Sequence, residues 1–154
     1  LRLTQVVFTL TVKKLMSDKR FFLDTNILIY AYSTQDTVKR EIAIRLVTSG
    51  EAVTSAQIPN EFCNVMKRKF PEMYADVEAV LREINSYLPI LPLTFEITIQ
   101  AIAVSKRYML SFYDSLVIAA ASEYGCQAVI SEDLQDGFTL DNGLMVINPF
   151  KNGT

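Results

Sequence analysis

Phe21-Phe22-Leu23-Asp24-Thr25-Asn26-Ile27-Leu28-Ile29-Tyr30 is a short apolar run that delivers a carboxylate, a hydroxyl and an amide, then turns apolar again. Phe21 to Leu23 has the profile of a strand buried on both faces, and Asn26 to Tyr32 follows with helical character. Asp24 is therefore expected where a strand ends, with Thr25 and Asn26 beside it.

Working outward from that point, helices and strands alternate. Val38, Ile42 and Leu46 recur at helical spacing within Thr37 to Thr48, and Ser49-Gly50 stops the helix. Ala52 to Ser55 reads as a second strand. From Gln57, the residues Ile58, Phe62, Val65 and Met66 mark a helix that runs to Phe70-Pro71, where proline stops it. Glu72 to Tyr87 is expected as one further helix, Pro89 to Pro92 as an extended segment, and Thr94 to Tyr108 as a helix capped by Thr94. Asp114 to Tyr124 is apolar nearly all round, the mark of a helix buried in the middle of a domain. Gly125 ends it, and Ala128 to Ile130 and Leu144 to Ile147 supply the remaining strands. The alternation predicts a three-layer α/β/α sandwich with a mostly parallel central sheet.

With 154 residues, half of them hydrophobic, the chain has the size of one domain and enough apolar material for a proper core. One domain is expected over residues 20–150, followed by a short tail at 151–154. Residues 1–19 stand apart as an N-terminal extension. Leu1 to Leu15 alternate apolar with polar through Val6, Phe8, Leu10 and Val12, and Met16-Ser17-Asp18-Lys19-Arg20 reads like a natural start. The leading residues are expected to come from an upstream or alternative start codon, or to be foreign to the native chain; an added edge strand is the rival reading. They lack the uninterrupted apolar core and small-residue cleavage site of a signal peptide. No stretch approaches the roughly twenty apolar residues of a membrane span, so a soluble protein is expected.

Fifteen basic against seventeen acidic residues leave a net charge of -2, which argues against a general polyanion-coating protein but leaves room for a local basic strip. Cys63 and Cys126 form no CxxC pair and there is no histidine, so the usual zinc sets are missing and a reducing, cytoplasmic setting fits best. The lack of histidine also removes the commonest general base, so hydrolytic chemistry must rest on carboxylates, Lys, Tyr or a hard metal ion.

In an open parallel sheet, ligands bind outside the carboxyl ends of the strands, so acids just past strand ends converge although far apart in sequence. Asp24 and Asp133 hold such positions. Asp114 stands at the start of the buried helix, where the helix dipole favours an ionised carboxylate; taken alone, it reads as a simple N-cap. Glu61 has Ile58 at i−3 and Val65 at i+4 on its own face, which carries a carboxylate inward; the plainer reading puts it at the border of the apolar stripe, reaching solvent. Carboxylates gathered in one place repel each other unless a cation neutralises them. Magnesium, which takes oxygen ligands, suits Asp and Glu without His or Cys, and the matching reaction is metal-assisted phosphoester hydrolysis.

On these residues the sequence resembles the PIN-domain nucleases, and among them the VapC-like ribonuclease toxins of toxin–antitoxin pairs. The resemblance runs from about Arg20 to Phe150. It is carried by LDTNILIYAYS at Leu23 to Ser33, Glu61 within NEFCNV, LSFYDSLVIAAASEYGC at Leu110 to Cys126, ISEDLQDG at Ile130 to Gly137 and VINPF at Val146 to Phe150. The resemblance implies Asp24, Glu61, Asp114 and Asp133 as catalytic acids and ligands of Mg2+ or Mn2+, with Thr25, Asn26 and Ser131 in support. Many relatives have a threonine and a basic residue where this chain reads Ser131-Glu132, which leaves Glu132 and Asp136 open as substitutes for Asp133. It also implies a homodimer joining two acidic crevices along a groove for RNA, and a cognate antitoxin laid across it.

Lys67-Arg68-Lys69, just past Glu61 on its helix, is the best candidate strip for phosphate contact, with Lys106-Arg107 second; the plainer reading is that cations near helix C-termini complement the dipole. Three functions compete. The first is a metal-dependent endoribonuclease held inactive by an antitoxin. The second is a PIN-fold protein that chiefly binds nucleic acid or a partner and cleaves little. The third, a phosphatase of the haloacid dehalogenase type, needs a second Asp two residues after Asp24, where Asn26 stands.

Overall fold

Phe21, Phe22 and Leu23 are all buried and form β1 (Phe21–Leu23), the central strand of the sheet, in a computed structural model that describes residues 20–151. The expected extension at 1–19 and the last residues of the tail lie outside the described residues. After β1 come α1 (Thr25–Tyr32), α2 (Thr37–Val47), β2 (Ala52–Ser55), α3 (Gln57–Lys69), the single turn α4 (Pro71–Tyr74), α5 (Val77–Tyr87), β3 (Ile90–Leu91), α6 (Phe95–Tyr108), α7 (Phe112–Glu123), β4 (Ala128–Ile130) and β5 (Met145–Ile147).

The strands form one five-stranded sheet in the order β3-β2-β1-β4-β5, and every pair is parallel. Phe22 lies between Val53 on one side and Val129 on the other, so β1 is hydrogen-bonded on both edges as well as covered on both faces. From β1 the chain winds outward through β2 to β3, then returns across the sheet to β4 and β5. Right-handed crossovers in opposite directions place their helices on opposite faces, which yields three layers. The order reverses between β1 and β4, and the crevice beyond their carboxyl ends is where a fold of this kind presents a ligand site.

Two helices depart from the sequence expectations. The helix expected over Glu72 to Tyr87 is broken: α4 ends after one turn, and the Asp76 N–H turns back to the Met73 carbonyl at 3.2 Å before α5 begins. The buried helix starts at Phe112, two residues before Asp114, with the Ser111 hydroxyl accepting from the Asp114 N–H at 3.2 Å. Ser111 is thus the N-cap, and the plainer reading of Asp114 as the cap fails because Asp114 already lies inside the first turn of the helix. Thr94 does cap α6, accepting from the Ile97 N–H at 3.3 Å.

α6 and α7 form a helical hairpin that turns through Met109 in the left-handed region at φ 57°, a conformation costly for any residue with a Cβ. Met109 is 86% exposed, and along the outer face of α6 Phe95, Ile99 and Ile102 are exposed as well. No helix among the described residues is long and apolar enough to cross a membrane.

Candidate active site

Asp24 ends β1 with an extended backbone and caps α1, its Oδ1 accepting from the Thr25 N–H at 2.7 Å. It is 7% exposed. Its Oδ2 accepts from the Ser131 hydroxyl at 2.7 Å and from the Asn26 amide at 3.5 Å, so the strand ends of β1 and β4 meet at one carboxylate. Ser131 Oγ in turn accepts from the N–H groups of Asp133 at 3.1 Å and Leu134 at 3.3 Å, which shapes the loop after β4 around Asp24.

Glu61 and Asp133 act on this carboxylate from different elements, whereas no side-chain hydrogen bond among the described residues joins Asp114 to the other three acids. Asp133 is exposed and accepts from Asn26 Nδ2 at 3.1 Å. Glu61, half-buried on α3, accepts from the Thr25 hydroxyl through Oε2 at 2.5 Å and from Gln57 Nε2 through Oε1 at 2.7 Å. Glu61 therefore faces the site, neither fully inward nor free in solvent. Asp114, half-exposed, sits in the first turn of α7, and because a helix that precedes a parallel strand runs back along the sheet, α7 begins at the edge where the strands end. Gln57 Nε2 also donates to the carbonyl of Tyr113 at 3.2 Å, tying the start of α7 to Glu61.

Burial is the largest influence on Asp24 and pushes its pKa up from an ordinary 3.8 to about 6; the bonds from Ser131 and Thr25 pull it back, while the charges of Glu61 and Asp133 push it further up. No described cation is paired with these acids. The oxygen-only donor set and the disfavoured charge at Asp24 fit a hard divalent ion. The acids are bridged by Thr25, Asn26, Ser131 and Gln57, and among the described residues no group of three or more Asp, Glu or Cys side chains is drawn together as a ready-made ion cage.

Both substitutes considered for Asp133 are engaged elsewhere. Glu132 turns away from the acids to form an ion pair with Lys39 and to accept from the Tyr30 hydroxyl at 2.6 Å. Burial works against its charge, but the Lys39 and Tyr30 bonds prevail and hold the carboxyl below its usual range. The Lys39 ammonium also lies 4.7 Å from the Tyr30 ring centre and 5.2 Å from that of Phe150. Asp136 accepts from the Asn148 N–H at 2.8 Å and pairs with Lys151 at 3.5 Å. Asp133 is the acid of this loop that remains beside Asp24.

Lys67, Arg68 and Lys69 occupy the exposed last turn of α3, and none of them forms an ion pair with another described residue. Arg107 of the second strip is already paired with Asp141 at 2.5 Å. Two participants escaped the sequence reading, Gln57 and the Lys39–Glu132 pair. Gln57 carried a signal, since it lies one helical turn before Glu61 on the same face. Lys39 and Glu132 lie 93 positions apart, and nothing local announces their contact.

Comparison with known proteins follows the same direction. No curated protein matches the chain. Among solved structures, a toxin–antitoxin complex from Klebsiella pneumoniae is similar with a TM-score of 0.64 and 20% identity, covering 83% of this chain and 96% of its own. VapC20 of Mycobacterium tuberculosis, described as a sarcin-ricin loop cleaving toxin, has a TM-score of 0.59 and 19% identity over 71% of this chain and 86% of its own. VapBC2 of Rickettsia felis, bound to a DNA fragment from its promoter, has a TM-score of 0.62 and 14% identity over 82% of this chain and 96% of its own. At these identities the likeness is one of fold. The sequence model of the PIN domain matches residues 21–136, a span that holds Asp24, Glu61, Asp114 and Asp133 together with the strands and helices that carry them, and the chain belongs to the PIN-domain family.

Proposed function

We propose that this protein is a Mg2+- or Mn2+-dependent endoribonuclease that hydrolyses phosphodiester bonds in single-stranded or structured RNA, acting as the toxin of a toxin–antitoxin pair. The observation that carries the proposal is Asp24, a buried carboxylate pushed up to about 6 with Glu61 and Asp133 adding like charge and no described cation to neutralise it. A fold that keeps such a group charged at its ligand-binding edge bears a cost that its capping of α1 and its bond from Ser131 offset only in part.

Asp24 and Asp114 are the principal residues to hold the ion, with Glu61 and Asp133 completing the donor set. A bound divalent ion supplies Lewis acidity toward water and the phosphodiester and offsets the charge of the acids. Thr25 and Gln57 orient Glu61 through one bond to each oxygen, and each oxygen keeps a second acceptor position with which to take a proton from an attacking water. Ser131 and Asn26 hold the orientation of Asp24 and Asp133. Lys67, Arg68 and Lys69 are the proposed phosphate contacts along the RNA.

The partners belong to the same proposal. A cognate antitoxin is supported by the Klebsiella and Rickettsia complexes, whose folds this chain shares. A homodimer is supported by the exposed apolar row Phe95, Ile99 and Ile102 on α6. A cytoplasmic setting agrees with the free thiols of Cys63 and Cys126.

The second reading, a PIN-fold protein that binds nucleic acid or a partner with little cleavage, is favoured by one observation: the acids are bridged by neutral donors and are not drawn around a single point. One experiment separates the two. Wild type should cleave single-stranded RNA in Mg2+ and lose cleavage on chelation, while Asp24→Asn and Asp114→Asn should be inactive in both conditions. Binding without metal-dependent cleavage by wild type would establish the second reading.

A further inference from the structure

Lys39 on α2 and Glu132 in the loop after β4 form an ion pair whose side chains are only 27% and 26% exposed. The other three ion pairs among the described residues each have a cation 63% exposed or more, where solvent and salt leave little attraction. The shielded pair is also braced by its neighbours. The Tyr30 hydroxyl on α1 donates to Glu132 at 2.6 Å and accepts from the Lys39 ammonium at 3.2 Å. That ammonium lies against the rings of Tyr30 and Phe150, which meet edge to face at 5.0 Å.

The pair anchors the residue whose N–H donates to Asn26 Oδ1 at 3.2 Å. With its oxygen taken there, the Asn26 amide directs Nδ2 at Asp133 Oδ2 at 3.1 Å, Ser131 Oγ at 3.3 Å and Asp24 Oδ2 at 3.5 Å. An exchanged amide would set its oxygen against two carboxylates and its NH2 group against an N–H, so the Glu132 peptide selects the orientation. Asp24 is held by Ser131 and the Thr25 N–H as well, but the bond from Asn26 is the one that the exposed Asp133 carboxylate accepts among the described residues. The Lys39 side chain itself has no described hydrogen bond or ion pair with any of the four acids. We infer that Lys39, acting through Glu132 and Asn26, is a positioning residue that keeps Asp133 in place beside Asp24. This rests on the nuclease reading proposed above and adds to it a residue 93 positions away from the loop it fixes.

The test compares wild type with Lys39→Met, Lys39→Arg and Glu132→Gln in two measurements. One is steady-state cleavage of single-stranded RNA, at a temperature where thermal melts show each variant folded; the other is hydrogen exchange, by NMR, at the Glu132 N–H and the Asn26 side-chain amide. Lys39→Met keeps the apolar stem and deletes the charge; it should lower kcat by about tenfold or more and leave the KM for RNA within about twofold, because a misplaced acid slows the chemical step and spares the RNA contacts. Exchange at both groups should quicken. Lys39→Arg restores the cation and should return kcat to within about threefold of wild type. A residue that serves stability alone would lower the melting temperature and leave kcat of the folded protein unchanged. That result, or a raised KM at unchanged kcat, which would make Lys39 an RNA contact, overturns the inference. If Lys39→Met does not fold, Glu132→Gln, which keeps the shape and deletes the anion, decides by the same split between kcat and KM. If wild type itself cleaves no RNA, the nuclease reading has failed, and the exchange measurement decides separately: rates unchanged in Lys39→Met, or in Glu132→Gln where that variant stands in, break the link from Lys39 to Asn26.

Discussion

Asp24 and Glu132 are carboxylates of one hydrogen-bonded network that meet opposite fates. Glu132 has its own cation, Lys39, and a tyrosine hydroxyl, and its charge is favoured. Asp24 has only the dipoles of Ser131, Thr25 and Asn26, and its charge is disfavoured. The Asn26 side chain spans the two, accepting from the Glu132 N–H at 3.2 Å while its amide donates toward Asp24 and Asp133. The contrast teaches that the fold neutralises the acid it uses as scaffolding and leaves unneutralised the acid at its ligand edge. Basic residues divide in the same way, with Lys39 half-buried and paired, and Lys67, Arg68 and Lys69 exposed with no ion pair among the described residues.

The contrast breaks first at Asp24. Asp24→Asn is expected to lower kcat/KM for RNA cleavage in saturating Mg2+ by about a thousandfold, equivalent to roughly 4 kcal/mol of transition-state stabilisation. Retention of a tenth of wild-type activity, measured on protein freed of contaminating nuclease, would remove Asp24 from the reaction.

Next in size is the pH dependence of stability. Between about pH 4 and pH 6 the folded protein keeps a proton on Asp24 that the unfolded chain has released, so this group's contribution to stability falls as pH rises through that window and levels off above it. The full loss is about 3 kcal/mol, and Asp24→Asn should abolish it, melting several degrees above wild type at pH 7.5 without metal. A variant that melts no higher than wild type there would show that the buried charge is tolerated at no cost.

Ser131→Ala sharpens the same side of the contrast. It deletes the donor to Asp24 and the acceptor of two loop N–H groups, and should cost about 2 kcal/mol in denaturant unfolding at pH 7.5, with less lost at pH 4, where Asp24 is protonated. An equal loss at both pH values would assign Ser131 to the loop alone. The smallest effect concerns the unpaired cations: reversing the charges of Lys67, Arg68 and Lys69 should weaken RNA binding by about tenfold at low salt and flatten the dependence on salt concentration. Binding that is unchanged across a salt titration would mean that these residues serve only the end of α3.

Much of this arrangement was legible in the sequence because it is local. The strands at Ala52 to Ser55 and Ala128 to Ile130 announce themselves as short apolar runs between polar ends, and Asp24 is placed by the strand before it and the helix after it. The break between α4 and α5 was not legible, because the apolar spacing of Val77, Val80 and Leu81 continues through it and the interruption is one backbone bond from Asp76. The start of the buried helix was placed two residues late, at Asp114, because the Ser111 cap bond leaves no trace in the apolar pattern, which begins only at Leu116. Lys39–Glu132 and Gln57–Tyr113 are contacts between segments that only the folded sheet brings together.

The same long reach has a consequence for time. Ser131 and Asp24 are 107 positions apart, and β1 cannot gain its β4 neighbour until that distance has been synthesised. At roughly 5–20 residues per second, on the order of ten seconds separate the emergence of the two halves of the site from the ribosome. Over that interval the nascent chain carries the acids of its first half without the loop that completes them. A site built on this plan stays incomplete until the segment that carries Ser131 and Asp133 has been synthesised.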